Sequence, residues 1–206
     1  MTTQGQSPEL PTDVQRLLDA LPQPMPLPVV RPGLVIVSGL PGTGKSYFSH
    51  RLVQRAPLAL VESDAMRKAL FPQPRYAAEE SARVFTAIHG LIDALLAEGI
   101  PVLLDATTLL EAHREPLYDI AARRKAWVVM VLTVAPSQEV RRRLDRRPSQ
   151  SWRLDSSDAD WNVYERMRYA QEPSSRPHHR VDTARDITPV LDKVVEEIQA
   201  NTARTV

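Results

Sequence analysis

Cysteine is absent from the 206-residue chain, which excludes disulfides, thiol nucleophiles and cysteine-built zinc sites and fits a reducing compartment. Lysine is also rare, four residues against twenty-two arginines, and with twenty-five acidic residues the net charge is only +1. So small a charge gives no general attraction to nucleic acid or an anionic membrane, and contact with either would need a local arginine patch. No apolar run approaches the roughly 20 residues needed to span a bilayer, and the first residues carry no basic-then-apolar leader pattern. A soluble, cytoplasmic protein is the resulting expectation. Glycine is scarce too, seven in all, yet three of the seven fall inside eight consecutive residues, 39–46.

Those eight are Gly39-Leu40-Pro41-Gly42-Thr43-Gly44-Lys45-Ser46. They follow the apolar run Leu34-Val35-Ile36-Val37 and precede a helix-like segment over 46–56. The pattern G-x-x-x-x-G-K-[ST] between a strand and a helix aims several backbone N–H groups and the positive end of the helix dipole at one anion. A glycine turn that only joined strand to helix would not require Lys-Ser at that spacing. Lys45 is expected to reach the β- and γ-phosphates of ATP and Ser46 to hold Mg²⁺, with Tyr47 closing the nucleotide-binding stretch.

The length suits one domain. Residues 1–32 hold seven of the eighteen prolines, among them Pro22, Pro24, Pro26 and Pro28, and read as an extended arm. Within it, 12–21 can form one short helix whose Val14, Leu17, Leu18 and Leu21 share a face, to be docked on the main domain or on a second copy in a homodimer. Residues 33–206 then alternate short apolar runs, at 34–37, 58–61, 101–104, 126–134 and 179–182, with helical patterns. Strands separated by helices predict an α/β fold: a five-stranded parallel sheet covered on both sides. A polar stretch over 148–158 reads as a flap, giving a lid at about 143–160.

In such sheets the ligand sits beyond the carboxyl ends of the strands. The first strand runs into the phosphate loop, the second into Asp64 and the third into Asp105, so one crevice collects all three. Phosphoryl transfer needs a nucleotide cradle, a metal, an acceptor held in line and positive charge around the moving group. Asp64 is placed to take the proton of an acceptor hydroxyl, and Arg67, three residues on, to fix the acceptor or its phosphate. An ion pair between the two is the simpler alternative for that spacing. Asp105 would bind the metal through water or hold the acceptor, and would otherwise cap a helix. Arg143 and Arg147, four apart in an arginine-rich helix, are the expected lid arginines facing the transferred group.

The loop, the ESDAMRKALF segment at 62–71, VLLDATTLLEAHR at 102–114, RRRLDRR at 141–147 and SSDADWNVYERM at 156–167 resemble the bacterial P-loop kinases of the AAA_33 group. That group is related to polynucleotide 5′-kinases, zeta toxins and chloramphenicol phosphotransferase, and the likeness spans roughly 34–200. The resemblance implies a general base at Asp64, an acceptor-side phosphate at Arg67, a third-strand aspartate at Asp105 and lid arginines at Arg143 and Arg147. Arg114 matches an arginine often found after the third strand.

The function expected is an ATP-dependent kinase acting on a hydroxyl. A polynucleotide 5′-OH is the leading specific acceptor, because Arg123-Arg124-Lys125 and the arginines of 141–147 would bind phosphates and Trp152 and Trp161 would stack bases. The alternatives are a small-molecule kinase, with a sugar, antibiotic or nucleotide-like acceptor, and a nucleotide-dependent switch ATPase. Against the last, Asp105 is followed by Ala106 rather than a water-activating glutamate, and no Asn-Lys-x-Asp guanine-recognition sequence occurs.

Overall fold

The structure is a computed structural model, and it describes residues 10–146 and 159–203. Five strands, β1 (Gly33–Ser38), β2 (Ala59–Glu62), β3 (Val102–Asp105), β4 (Trp127–Val134) and β5 (His179–Asp182), form one parallel sheet in the order β2-β3-β1-β4-β5. All five agree with the runs read from the sequence. β1 is buried along its whole length because it lies at the centre with neighbours on both sides. From β1 the chain crosses to β2 at one edge, returns to β3 beside β1, and only then moves to β4 on the other side. The strand order therefore reverses at β1, and a crevice opens at its carboxyl end.

Alternation along the strands sorts side chains onto two faces. Leu34, Ile36, Ala59, Val61, Val102 and Leu104 join one core with α1 (Thr12–Asp19), α3 (Ser63–Leu70), α4 (Ala78–Ala97) and α5 (Glu111–Arg123). Val35, Val37, Leu58, Leu60, Leu103 and Val131 join another with α2 (Lys45–Val53) and α8 (Thr188–Ala203). A third, small cluster sits at the carboxyl end of the sheet. It joins Leu40 of the phosphate loop, Leu109 after β3, Val140 and Leu144 of α6 (Ser137–Arg146) and Tyr164 of α7 (Trp161–Ala170).

α1 docks on its own chain. Val14, Leu17 and Leu21 are buried in the α3–α4 core, each contributing about 1.5–3 kcal/mol of apolar burial. Asp13 takes a bidentate pair from Arg83 of α4 at 2.6 and 2.8 Å. Further along the arm, the Val29 N–H donates to the Gly99 carbonyl at 2.8 Å. The apolar face of α1 thus gives no argument for a homodimer. Among the described residues no helix is long and apolar enough to cross a membrane.

Candidate active site

The loop between β1 and α2 owes its shape to glycine. Gly39, Gly42 and Gly44 have φ of 152°, 76° and 86°, the region that side chains disfavour. Added Cβ atoms would also strike neighbours, the Thr133 hydroxyl at Gly39 and the Thr183 hydroxyl, 2.9 Å away, at Gly44. Thr43, 3% exposed, turns inward. Its hydroxyl donates to the Leu40 carbonyl at 2.7 Å and lies 2.8 Å from the Thr133 hydroxyl. The Thr183 hydroxyl, from the turn after β5, donates to the Thr43 carbonyl at 2.7 Å. Two threonines, one on β4 and one in the turn after β5, thereby hold the loop from behind. Gly44 begins α2 without a side-chain cap, which leaves the first-turn N–H groups to an anion. Lys45 leans back on the loop, its ammonium donating to the Leu40 carbonyl at 3.3 Å. Ser46 occupies the next position of α2, and Tyr47 is 50% exposed with the Arg51 guanidinium 5.4 Å from its ring centre.

β3 places Asp105, 4% exposed, level with Val37 of β1 and with Glu62 at the end of β2. Val37 and Leu60 belong to the core facing α2, so the alternation turns Asp105 and Glu62 to that side, toward Ser46. Glu62 lies 3.9 Å from His50 of α2, whose Nδ1 is 2.8 Å from the Ser46 carbonyl oxygen. Glu62 is not among the site positions expected from the sequence. Its signal was the spacing of two from Leu60, which carries the strand's alternation one step further. Among the described residues no three His, Asp or Glu side chains form a metal cage. Mg²⁺ at Ser46 and Asp105 would therefore draw ligands from phosphate and water, as that ion ordinarily does.

Asp64 stands in the first turn of α3, half-buried. Arg67 shares its face, but its ion pair goes to Glu80 of α4 at 2.5 Å rather than to Asp64. Its other bond runs to the Ser81 hydroxyl at 3.2 Å, and the Tyr76 ring lies over the guanidinium at 4.8 Å. Arg114 acquires a definite place. It is 2% exposed and donates to the carbonyls of Thr108, Leu109 and Pro173 and to the Glu111 carboxylate. The Thr108 carbonyl also accepts from Ser38 at the end of β1, while Glu172 binds the Glu111 N–H at 2.7 Å. The loop that leaves Asp105 is thereby stapled to the segment that follows α7. The Arg114 guanidinium, assisted by Ser175, holds the Glu111 carboxyl below its ordinary range.

The lid expectation meets a different arrangement at Arg143. Its guanidinium donates to Glu139 at 2.9 Å, to the Gly42 carbonyl at 3.3 Å, and to the hydroxyl and carbonyl of Thr183 at 2.8 and 2.9 Å. It clamps the back of the phosphate loop to the turn after β5. Of the expected lid, 143–146 belong to α6, while 147–158, with Arg147 and Trp152, lie outside the described residues. Trp161 stacks on Tyr164 at 4.9 Å, with Arg141 5.4 Å from its ring centre. Arg123 and Arg124 do not approach the crevice. They pair with Asp93 at 3.2 and 2.5 Å, at the end of α5 and just ahead of β4, hence at the opposite end of the sheet.

Among the solved structures similar across the chain are three with named activities or ligands. Kti12 of Chaetomium thermophilum in complex with ADP-AlF3 has a TM-score of 0.66 and 17% identity, covering 83% of this chain and 100% of that one. The Mycobacterium tuberculosis APS kinase CysC in complex with AMPPNP and APS has a TM-score of 0.62 and 19% identity, covering 82% and 98%. A gluconokinase from Sinorhizobium meliloti has a TM-score of 0.57 and 18% identity, covering 83% and 98%. No curated protein sequence matches. The AAA_33 family model, an AAA domain, matches residues 34–174, from the first strand through the Arg114 staple. That match takes in most of the chain, which belongs to the AAA_33 family and carries the fold of the P-loop kinases.

Proposed function

We propose that this protein transfers the γ-phosphoryl group of ATP to the hydroxyl of an acceptor, with Asp64 as general base. The observation that carries this reading is the convergence of the phosphate loop, Asp64 and Asp105 at the carboxyl ends of β1, β2 and β3. The Asp64 carboxylate accepts the hydroxyl proton. The acceptor oxygen bonds to the γ-phosphorus as the bond from that phosphorus to the β–γ bridging oxygen breaks, and ADP leaves with the electron pair. Lys45 and the N-terminus of α2 hold the phosphates. Bound Mg²⁺ supplies Lewis acidity at the phosphoryl oxygens, and the Ser46 hydroxyl, with Asp105 through water, would hold it. Arg143, bonded as described, acts by fixing the loop rather than by touching the moving group. The nucleotide complexes of CysC and Kti12 support ATP as donor, and the APS kinase and gluconokinase, named for different acceptors, support the kinase class.

Incubation with labelled ATP, Mg²⁺ and a panel of hydroxyl acceptors tests this directly. Asp64→Asn should lower turnover about 10²- to 10⁴-fold while AMPPNP binding is unchanged. Slow hydrolysis that a partner protein stimulates, indifferent to Asp64, would instead favour the switch ATPase. A second reading keeps the polynucleotide 5′-OH as acceptor. It is favoured by exposed Arg141 on α6, whose guanidinium lies 5.4 Å from the Trp161 ring centre, and it expects oligonucleotide binding that weakens steeply with salt.

A further inference from the structure

The link between α3 and α4 contains an arrangement that phosphoryl transfer by itself does not require. Glu80, in the first turn of α4, accepts from Arg67 at 2.5 Å and from the backbone N–H groups of Arg75 and Tyr76 at 2.8 and 3.3 Å. These bonds, that of Arg75 foremost, hold the Glu80 carboxyl below its ordinary range, so it stays ionised at neutral pH and keeps Arg67 compensated. Both side chains are more than nine-tenths buried, at 8% and 9% exposure. An acceptor phosphate would find Nη1 of Arg67 held by a carboxylate that three donors fix and Nη2 held by the Ser81 hydroxyl, while Nε, which has no partner, is buried out of its reach.

The same bonds hold Tyr76 at φ 57°, a conformation costly for an aromatic residue and kept where the surroundings enforce it. One face of its ring rests on the Arg67 guanidinium, while 44% of the residue remains exposed. Arg67 lies one helical turn from Asp64. A rigid aromatic platform is therefore backed by a buried and neutralised cation whose residue lies one helical turn from Asp64, the proposed general base. Ring faces of sugars and nucleosides stack on such a surface.

We propose that the acceptor is an uncharged ring bearing the reacting hydroxyl, seated on Tyr76 next to Asp64, and that acceptors carrying a phosphate near that hydroxyl are disfavoured. This rests on the phosphotransferase reading. The ring's hydroxyl gives its proton to Asp64 as its oxygen takes the γ-phosphoryl group from ATP.

Matched pairs provide the test: adenosine against adenosine 3′-phosphate, and glucose against glucose 6-phosphate, with a 5′-OH oligonucleotide alongside, each with labelled ATP and Mg²⁺. The uncharged member of at least one pair should be used with kcat/KM about tenfold higher or more, and which pair responds separates a nucleoside from a sugar. Tyr76→Ala should raise KM for that acceptor about tenfold with kcat held within about twofold, and Tyr76→Phe should restore it. Glu80→Gln, checked for folding by its melting curve, should narrow the ratio within the pair about threefold or more by releasing Arg67. Preference of the wild-type protein for the phosphorylated members or the oligonucleotide, a KM unmoved by Tyr76→Ala, or a ratio unmoved by Glu80→Gln would overturn the proposal while leaving the kinase intact. No labelling of any acceptor, with AMPPNP still bound, would remove both readings together.

Discussion

Around Gly39–Ser46 the groups presented to the ligand are main-chain N–H donors at a helix start, whereas around Asp64 they are side chains held by other side chains. The donor half needs glycine at three positions and two threonines behind it. The proposed acceptor half rests on Glu80, thirteen residues beyond Arg67, and on its far side on Pro173, fifty-nine beyond Arg114. A backbone cradle takes any triphosphate, because all triphosphates present the same oxygens. A site built from side chains can change its preference through a single partner, and an arginine already in place can be withdrawn from a ligand by one carboxylate.

That contrast can be broken by substitutions confined to one half. Lys45→Ala should have the largest effect, a fall of about 10²- to 10³-fold in turnover with the urea unfolding midpoint unchanged. An equal change in acceptor KM would mean that the halves are not separable. Arg114→Ala should come next. It removes the donor from three carbonyls and leaves the Glu111 carboxylate with Ser175 as its remaining donor, at a cost of about 3 kcal/mol in urea unfolding, with AMPPNP affinity within about twofold. Arg114→Lys should recover only part, since an ammonium lacks the planar fork. The smallest effect belongs to Glu139, whose carboxyl is held down to about 2 by hydrogen bonds from Arg142 and then Arg143, against an ordinary 4.5. A lowered carboxyl stabilises the fold fully above its unfolded value, and that contribution is lost as pH falls from 4.5 toward 2. Solvent screening at exposed Arg142 keeps it small. Stability measured across that window should slope in the native protein and slope less steeply in Glu139→Gln, the remaining slope coming from the other lowered carboxyls, Glu80 and Glu111 among them.

All five strands and the helices between them could be read from apolar periodicity, because each element is specified by residues within its own length. The same holds for the loop and for the strand-end positions of Asp64 and Asp105. Arg143 shows where such reading stops. Spacing put it on a face with Arg147, but its direction was settled by Glu139, Gly42 and Thr183, the last forty residues away. Arg123 and Arg124 look like phosphate ligands in a string of letters, and only the sheet's direction reveals that they stand at its other end. Glu80 gave no sign beyond being acidic in a helix's first turn, which surface helices show routinely. The docking of α1 on α3 and α4, rather than on another molecule, likewise depended on how those helices were already placed.

This docking has a practical consequence for anyone trimming the gene. A chain begun at Gly33 would retain every residue of the phosphate loop, yet it would bare the apolar side of α3 and α4 that Val14, Leu17 and Leu21 cover. Such a fragment should still recognise ATP while becoming sticky and losing its grip on whatever sits beside Asp64. Fusion partners therefore belong ahead of Pro11, which caps the start of α1, and not at the proline stretch that the letters alone would suggest as a seam.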